Sequence, residues 1–349
     1  MPARETVPRG GELGRVAVAP PTLEQVAARA GVSRSTASRA INGGDRVSTR
    51  ALAAVEAAIV DLGYTPNRAA RSLVTRRTDS IALVVPEPDE LALSDPFVLA
   101  VLQGLASSLG HSDVQVVLAI ARPGETERTL RFLRGGHVDG AIVVSHHHGG
   151  DLGPGLAELS LPLVFVGRPL LPDGSAQYVD TDNVDGAAQA TRHLIERGRR
   201  RIATIAGPPD MSAGVERLEG WRRTLVAAGR SVDAVVHAGF TLAAGQAAAH
   251  RLLDEHPDVD GIVAASDLIA VGALAALSAR GKRVPADVAV VGYDDLGVAA
   301  TAQPPLTTVV QPAVAMAQAA GERLLALLAG GPARQPEVFP ATLVVRSST

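Results

Sequence analysis

TLEQVAARAGVSRSTASRAIN, residues 22–42, is the stretch from which the rest of the chain is read. Thr22 is placed to cap a helix, because its hydroxyl can accept from a free backbone N–H of the first turn. Leu23, Val26, Ala27 and Ala30 follow at helical spacing on one face. Gly31 ends that helix, since glycine enters the left-handed conformation without a Cβ penalty. Val32 is an apolar plug, Ser33 caps a second helix, and Ala37, Ala40 and Ile41 form its inward face. Arg34, Ser35, Ser38 and Arg39 are left facing outward. Two short helices around a sharp turn, with arginine and hydroxyls on the second, suit a reader of the DNA major groove. An ordinary surface helical hairpin is the competing reading.

Upstream, residues 1–20 are rich in Pro, Gly and Arg and lack periodicity, so a mobile N-terminal arm is expected there. Downstream, Gly43 and Gly44 make a corner. Ser48 then caps a third helix with Leu52, Val55, Ile59 and Leu62 as its apolar stripe, and Gly63 closes it. Residues 21–66 are therefore expected to be an all-α helix-turn-helix headpiece around one small core. YTPNRAARSL, residues 64–73, comes next. Pro66 disfavours helix before it, and Asn67 can cap about two turns after it. A helix so short is marginal alone in water. Residues 67–78 are read as a hinge helix and linker that forms beside a partner helix and DNA.

Charge divides the chain in the same place. Residues 1–77 carry 12 Arg against 6 Asp and Glu, whereas the remainder carries 21 Lys and Arg against 30 Asp and Glu. The basic end is where a polyanion would bind, because cation–phosphate contacts release counterions. The absence of cysteine excludes disulfides, thiolate chemistry and Cys-type zinc sites, and fits a reducing compartment. The first residues hold no apolar core of signal-peptide length, and no uninterrupted apolar run reaches the roughly 18 residues of a membrane span. A cytoplasmic, nucleoid-associated protein with no membrane partner is expected.

From residue 80 the pattern changes. Short apolar runs at 81–85, 114–120, 141–144, 163–166, 202–206, 234–237, 262–265 and 288–292 read as strands. Amphipathic stretches at 97–109, 126–134, 186–197, 215–228, 243–255, 268–279 and 314–328 read as helices. Such alternation predicts parallel sheets covered by helices on both faces. About eight strands over about 270 residues exceed one ordinary domain and suit two similar doubly wound lobes. Ligands of such sheets bind beyond the carboxyl ends of the strands, so two facing lobes make a cleft.

These segments carry a family resemblance. TLEQVAARAGVSRSTASRAIN followed by YTPNRAARSL closely resembles the headpiece and hinge of the lactose-repressor (LacI/GalR) family. VDTDNVDGAAQATRHLIERGRRRIATIAGP (179–208), RLEGWRRTL (217–225), AASDLIAVGAL (264–274), VAVVGYDD (288–295) and PPLTTVVQP (304–312) follow in the family's order. The resemblance implies a periplasmic-binding-protein-like core at 79–349. Its N-lobe would hold about 79–180 and 312–338, and its C-lobe about 181–311 and 339–349.

Residue roles follow from the same match. Arg34, Ser35 and Arg39 fall at the base-reading positions, and an arginine can fork onto a guanine edge. Thr22, Ser33, Thr36, Ser38 and Asn42 fall at positions that hold the unit on phosphates, with Arg46, Ser48 and Arg50 expected to do likewise. Capping alone would also account for Ser33 and Ser48. Leu73 matches a minor-groove wedge that kinks the duplex, with a plain linker contact to the core as the alternative, and Ala70 matches the small residue that lets paired hinge helices approach. In the core, Arg217, Phe240, Ser266, Asp294 and Gln311 match effector-cleft positions. Arg217 would offer a fork to ligand oxygens, Asp294 would accept from hydroxyls, and Phe240 would wall a sugar ring or base. Capping or ion pairing is the alternative for Asp294. Phe97 is expected to line the same cleft.

His146, His147 and His148 invite a metal reading. Three consecutive imidazoles cannot easily converge on one ion, and no Asp, Glu or Cys stands near at ligand spacing. A polar loop at the cleft mouth is expected instead, with His146 touching ligand. No Gly-x-Ser-x-Gly elbow and no phosphate-loop Lys-Ser/Thr occurs, so neither hydrolase nor nucleotide chemistry is indicated. The expectation is a non-enzymatic repressor, without metal or cofactor. It would act as a homodimer on a near-palindromic double-stranded operator, under allosteric control by a sugar-like or nucleoside-like effector. A solute-binding protein without operator function is the alternative.

Overall fold

The computed structural model describes residues 21–42, 47–65, 77–110, 112–148, 152–170 and 176–349. They fall into two compact units, divided between Thr78 and Asp79. Arg46, Asn67, Ala70, Leu73 and the arm at 1–20 lie outside the described residues.

The first unit is three helices, and each begins and ends where local chemistry dictates. Helix α1 (Leu23–Ala30) starts in a capping box, with the Thr22 hydroxyl accepting from Gln25 N–H and the Gln25 side chain accepting from Thr22 N–H. Gly31 ends it at φ +65°. Helix α2 (Arg34–Ile41) is capped by Ser33, and α3 (Thr49–Leu62) by Ser48. Each cap is worth about 1 kcal/mol, a large share of the stability of so small a unit. Val26, Ala27, Ala37, Val55 and Ala58 make the core, with Val32, Ile41, Ile59 and Leu62 packed around it. One expectation fails: Leu52 is 37% exposed. Ala58, three residues after Val55, takes the buried place on the stripe.

The second unit holds two six-stranded sheets. The first lobe begins with β1 (Ser80–Val85), α4 (Asp89–Ser94), α5 (Pro96–Leu109), β2 (Gln115–Ile120) and α6 (Thr126–Arg134). It continues through β3 (Gly140–Val144), α7 (Leu152–Ala157), β4 (Leu163–Val166) and β5 (Tyr178–Thr181). The chain then crosses into α8 (Asn183–Glu196), β6 (Ile202–Ala206), α9 (Ser212–Ala227), β7 (Val235–His237) and α10 (Leu242–Glu255). There follow β8 (Gly261–Ala264), α11 (Asp267–Ala279), β9 (Ala289–Asp294), α12 (Val298–Thr301) and β10 (Thr307–Val310). Helix α13 (Ala313–Leu328) and β11 (Glu337–Phe339) return to the first lobe, and β12 (Thr342–Val344) ends in the second.

Strand order is β11-β5-β4-β3-β1-β2 in one sheet and β12-β10-β9-β8-β6-β7 in the other. All neighbours run parallel except β12 against β10. The doubly wound architecture expected from the strand–helix alternation is present. Its central strands are buried along their length, as in β3 and β6, which explains why they read as unbroken apolar runs.

Strands β5, β10, β11 and β12 escaped the sequence reading. In β10 the reason is visible. Thr307 and Thr308 are fully buried, and their hydroxyls bond Thr349, the Arg346 carbonyl and Asp267, all far along the chain. Polar residues so satisfied cost little to bury, and they erase the apolar signature of a core strand. Helix α4 was also missed; it lies between the strand read at 81–85 and the helix read at 97–109.

Candidate functional site

The headpiece presents α2 as its polar surface. Arg34, Ser35 and Arg39 are all exposed. Arg34 Nε lies 2.7 Å from Glu24 Oε1 of α1. Both partners are open to water, so the pair is cheap to exchange for a phosphate or a base edge. The Arg39 Nε donates to the Ser35 carbonyl at 3.2 Å, which holds that side chain along the helix. The Ser33 hydroxyl caps Thr36 N–H and bonds both the Ser35 and the Thr36 hydroxyls. Asn42 donates to Ser38 Oγ, and Ser48 caps Ala51 N–H. Thr22 and Arg50 are exposed at the starts of α1 and α3. The capping roles of Ser33 and Ser48 are thus present; the Ser48 hydroxyl, which accepts in its cap, keeps its hydrogen to donate to a phosphate, whereas Ser33 already meets three partners.

In the core unit, the strand ends of the two lobes face one cleft of about 840 Å3 of empty space, its open mouth included. Phe97 and His146 line it from the first lobe, and Arg217, Phe240, Ser266, Asp294 and Gln311 from the second. Seven residues spread over more than 200 positions of sequence therefore meet in one place.

Arg217 is the centre of the second-lobe wall and is 6% exposed. Its Nε donates to Asn183 Oδ1 at 2.9 Å and its Nη2 to Gln311 Oε1 at 2.6 Å. Its Nη1 donates to the Ala265 carbonyl and to Asp294 Oδ1 at 3.2 Å. The guanidinium stacks 3.7 Å from the centre of the Tyr293 ring. The expectation of an open fork for ligand oxygens is corrected here: protein acceptors take four of its five N–H groups. Arg217 orients Gln311 and Asp294, which in turn face the cleft.

Asp294 closes β9 at φ +110°, and Asp295 follows at φ +52°. Two groups hold this left-handed turn. Asp267 Oδ2 accepts from Asp295 N–H at 2.8 Å, and Arg346 pairs with both carboxylate oxygens of Asp295 at 2.8 and 2.9 Å. Burial pushes the Asp294 carboxyl above its ordinary range, against the pull of Arg217. Ser266 is the N-cap of α11; its oxygen accepts from Ile269 N–H at 3.2 Å, leaving the hydroxyl hydrogen to donate. Phe240 stands against Gly207, where any Cβ would lie 2.6 Å from the ring.

From the first lobe, His146 meets Phe165 edge-on at 5.6 Å, and its buried ring nitrogens have no partner among the described residues. Burial pushes its pKa down to about 4. It is a neutral imidazole, with one donor and one acceptor to offer. The histidine run needs a second correction. Acid partners do exist for His147: Glu87 and Asp210, each about 60 residues away in sequence. Proximity in sequence gave no sign of them. No cluster that could hold a metal occurs among the described residues.

Sequence reasoning also missed Asp95, Arg168, Asp180 and Asn183, all of which line the cleft. Arg168 pairs with Glu216 at 3.1 Å. Asp180 is buried, which pushes its carboxyl up to about 6. Asp180 and Asn183 stand within the segment VDTDNVDG quoted above, so a signal existed for them. Asp95 caps α5 through Phe97 N–H, a local role that gives no hint of the cleft.

A family model described as bacterial regulatory proteins of the lacI family matches residues 22–67, and one described as a periplasmic binding protein-like domain matches residues 191–349. The chain is 50% identical over 334 residues to the HTH-type transcriptional regulator CelR of Thermobifida fusca, covering 94% of this chain and 98% of the relative. It is 36% identical to the HTH-type transcriptional regulator MalR of Streptomyces coelicolor, covering 94% of this chain and 96% of that one. Among solved structures it is similar to a CelR–cellobiose complex, at 47% identity and TM-score 0.76, covering 94% of this chain and all of that one. It is also similar to the Lac repressor dimer bound to operator and the anti-inducer ONPF, at 27% identity and TM-score 0.81, covering 94% and 99%.

Proposed function

Because this chain belongs to the lacI family of bacterial regulatory proteins, and is a ligand-responsive, DNA-binding transcriptional regulator, we propose that its effector is a neutral sugar of the cellobiose class. The carrying observation is that both guanidiniums lining the cleft are already engaged, Arg217 by four protein acceptors and Arg168 by Glu216. A carboxylate or phosphate ligand would find no unpaired cation among the described lining residues, and would meet Asp95, Asp180 and Asp294. An uncharged polyol suits them, because each carboxylate accepts from hydroxyls. Phe97 and Phe240 supply apolar walls for the ring faces. The complex of CelR with cellobiose supports the same class.

The protein acts as a homodimer repressor on a near-palindromic operator, in the cytoplasm with the chromosomal DNA. Two-fold symmetry presents two copies of α2 to two half-sites. The DNA-contact roles that the resemblance implies for Arg46, Asn67, Ala70 and Leu73 belong to the same proposal, and all four lie outside the described residues. A sugar that prefers one arrangement of the lobes shifts operator affinity, and DNA shifts sugar affinity by the same factor. Calorimetric titration of the full-length protein with cellobiose, cellobionate and glucose 6-phosphate tests the ligand class. Binding of the neutral disaccharide alone is expected, and preference for either anion would overturn the reading. A gel-shift titration of Leu73→Ala tests the hinge: operator affinity should fall while cellobiose affinity is kept.

A further inference from the structure

The histidine run holds one residue that neither DNA nor sugar accounts for. His146 belongs to the cleft wall, but His147 stands beside it and is gripped at both ring nitrogens. Its Nε2 lies 2.9 Å from Glu87 Oε1, and its Nδ1 lies 2.8 Å from Asp210 Oδ2. Glu87 follows β1 and His147 follows β3, so both belong to the first lobe. Asp210 follows β6 and belongs to the second. The His148 N–H donates to the Asp210 carbonyl at 2.7 Å, so one aspartate is held through side chain and backbone by the opposite lobe. Ser145 and His146 on one side, and Met211 and Ser212 on the other, line the cleft. The bridge therefore stands at the cleft edge.

A neutral imidazole has a single N–H and can satisfy only one of two carboxylates, whereas an imidazolium donates to both. The geometry selects the cation. Glu87 first, with Asp210 adding, pushes the imidazole up to about 9, against the effect of burial. His146 and His148 flank it on its own loop, and Asp95 faces Glu87 from the start of α5.

We propose that Glu87, His147 and Asp210 form a clasp that holds the two lobes closed and thereby sets the strength of the effector response. His147 is a positioning residue: it acts on the ligand through the arrangement of the lobes. The link to effector rests on the sugar-cleft reading, but the clasp itself does not. A ligand that binds the closed form has an apparent affinity scaled by the closed fraction. The clasp contribution is complete below the free imidazole value of roughly 6.5, and is lost as pH rises through about 9.

The chain contains no cysteine. Asp113→Cys and Lys282→Cys, both at exposed positions, therefore place one spin label on each lobe of the full-length protein. Inter-label distances at pH 7 should show one population with the clasp intact. A second, longer one should appear in His147→Ala and in Asp210→Asn. Raising the pH to 9.5 should open the clasp-bearing protein and leave His147→Gln unchanged. Cellobiose affinity should weaken over the same pH range on the order of tenfold with the clasp and stay level in His147→Gln. Identical distances in the clasp-bearing protein and His147→Ala, or equal pH responses with and without His147, overturn the proposal. Clasp-dependent distances in a protein that ignores cellobiose would sink the sugar reading and leave the clasp standing.

Discussion

Arg217→Met tests how the cleft is built. Methionine keeps most of the buried stem but removes every donor. Asn183 Oδ1, the Ala265 carbonyl, Asp294 Oδ1 and Gln311 Oε1 then lose their partner together. Removing one member of a buried pair costs about 3–5 kcal/mol, because the other charge stays behind. Each further orphaned acceptor would cost about 1–3 kcal/mol alone, but neighbours in one network do not add. A loss of about 4 kcal/mol is the expectation. At about 2–4 °C per kcal/mol for a unit of this size, the core transition should fall by roughly 10 °C.

The pH dependence gives the sharper reading of the same variant. Burial already pushes the Asp294 carboxyl up, and losing the guanidinium pushes it further. A carboxyl whose folded value exceeds its unfolded value weakens the fold as pH rises from the unfolded value through the folded one. The deficit against the unsubstituted protein should therefore be smaller at pH 5 than at pH 8. Adding Asp294→Asn should recover about 2 kcal/mol, since no charge is then stranded. Calorimetric unfolding of the full chain at both pH values measures all three quantities. A midpoint within about 2 °C of the unsubstituted protein, or a deficit that is equal at both pH values and untouched by Asp294→Asn, would refute the central role of Arg217.

Other outcomes are expected. Ser33→Ala removes the α2 cap and should cost the headpiece about 1 kcal/mol, read as earlier loss of its helical signal on heating. Arg39→Ala should lower affinity for the specific operator by about 1–3 kcal/mol if it reads a base; an equal loss on unrelated DNA would assign it to phosphate. In Gly207→Ala the new Cβ would lie 2.6 Å from the Phe240 ring, so the ring must shift from its place on the cleft wall. Cellobiose affinity should fall about tenfold, or 1.4 kcal/mol, with operator binding intact. Unchanged calorimetry in that variant would remove Phe240 from the sugar wall.

Legibility followed the range of the interactions. Thr22, Gly31, Ser33 and Ser48 act on residues three or four away, and their capping roles were readable from the chain itself. The runs that became β1, β3, β6 and β8 were readable because buried parallel strands are apolar on both faces. Strand β10 was not, because Thr307 and Thr308 owe their burial to Asp267, Arg346 and Thr349. Cleft membership of Arg217 and Asp294 came through resemblance. Their chemistry there did not, since the partners of one guanidinium come from α8, the end of β8, the end of β9 and the crossover after β10.

By itself the chain determined the headpiece and the parallel two-lobed core, and motif order pointed to seven of the cleft residues, since caps, periodicity and motif order are local or linear properties. Only the tertiary structure decided what those residues have left to offer. Whether Arg217 presents a free fork, whether His146 is neutral and whether His147 is charged depend on which distant carboxylates and carbonyls arrive beside them. That arrival is set by strand order and by the crossings between the lobes, which no stretch of sequence states alone.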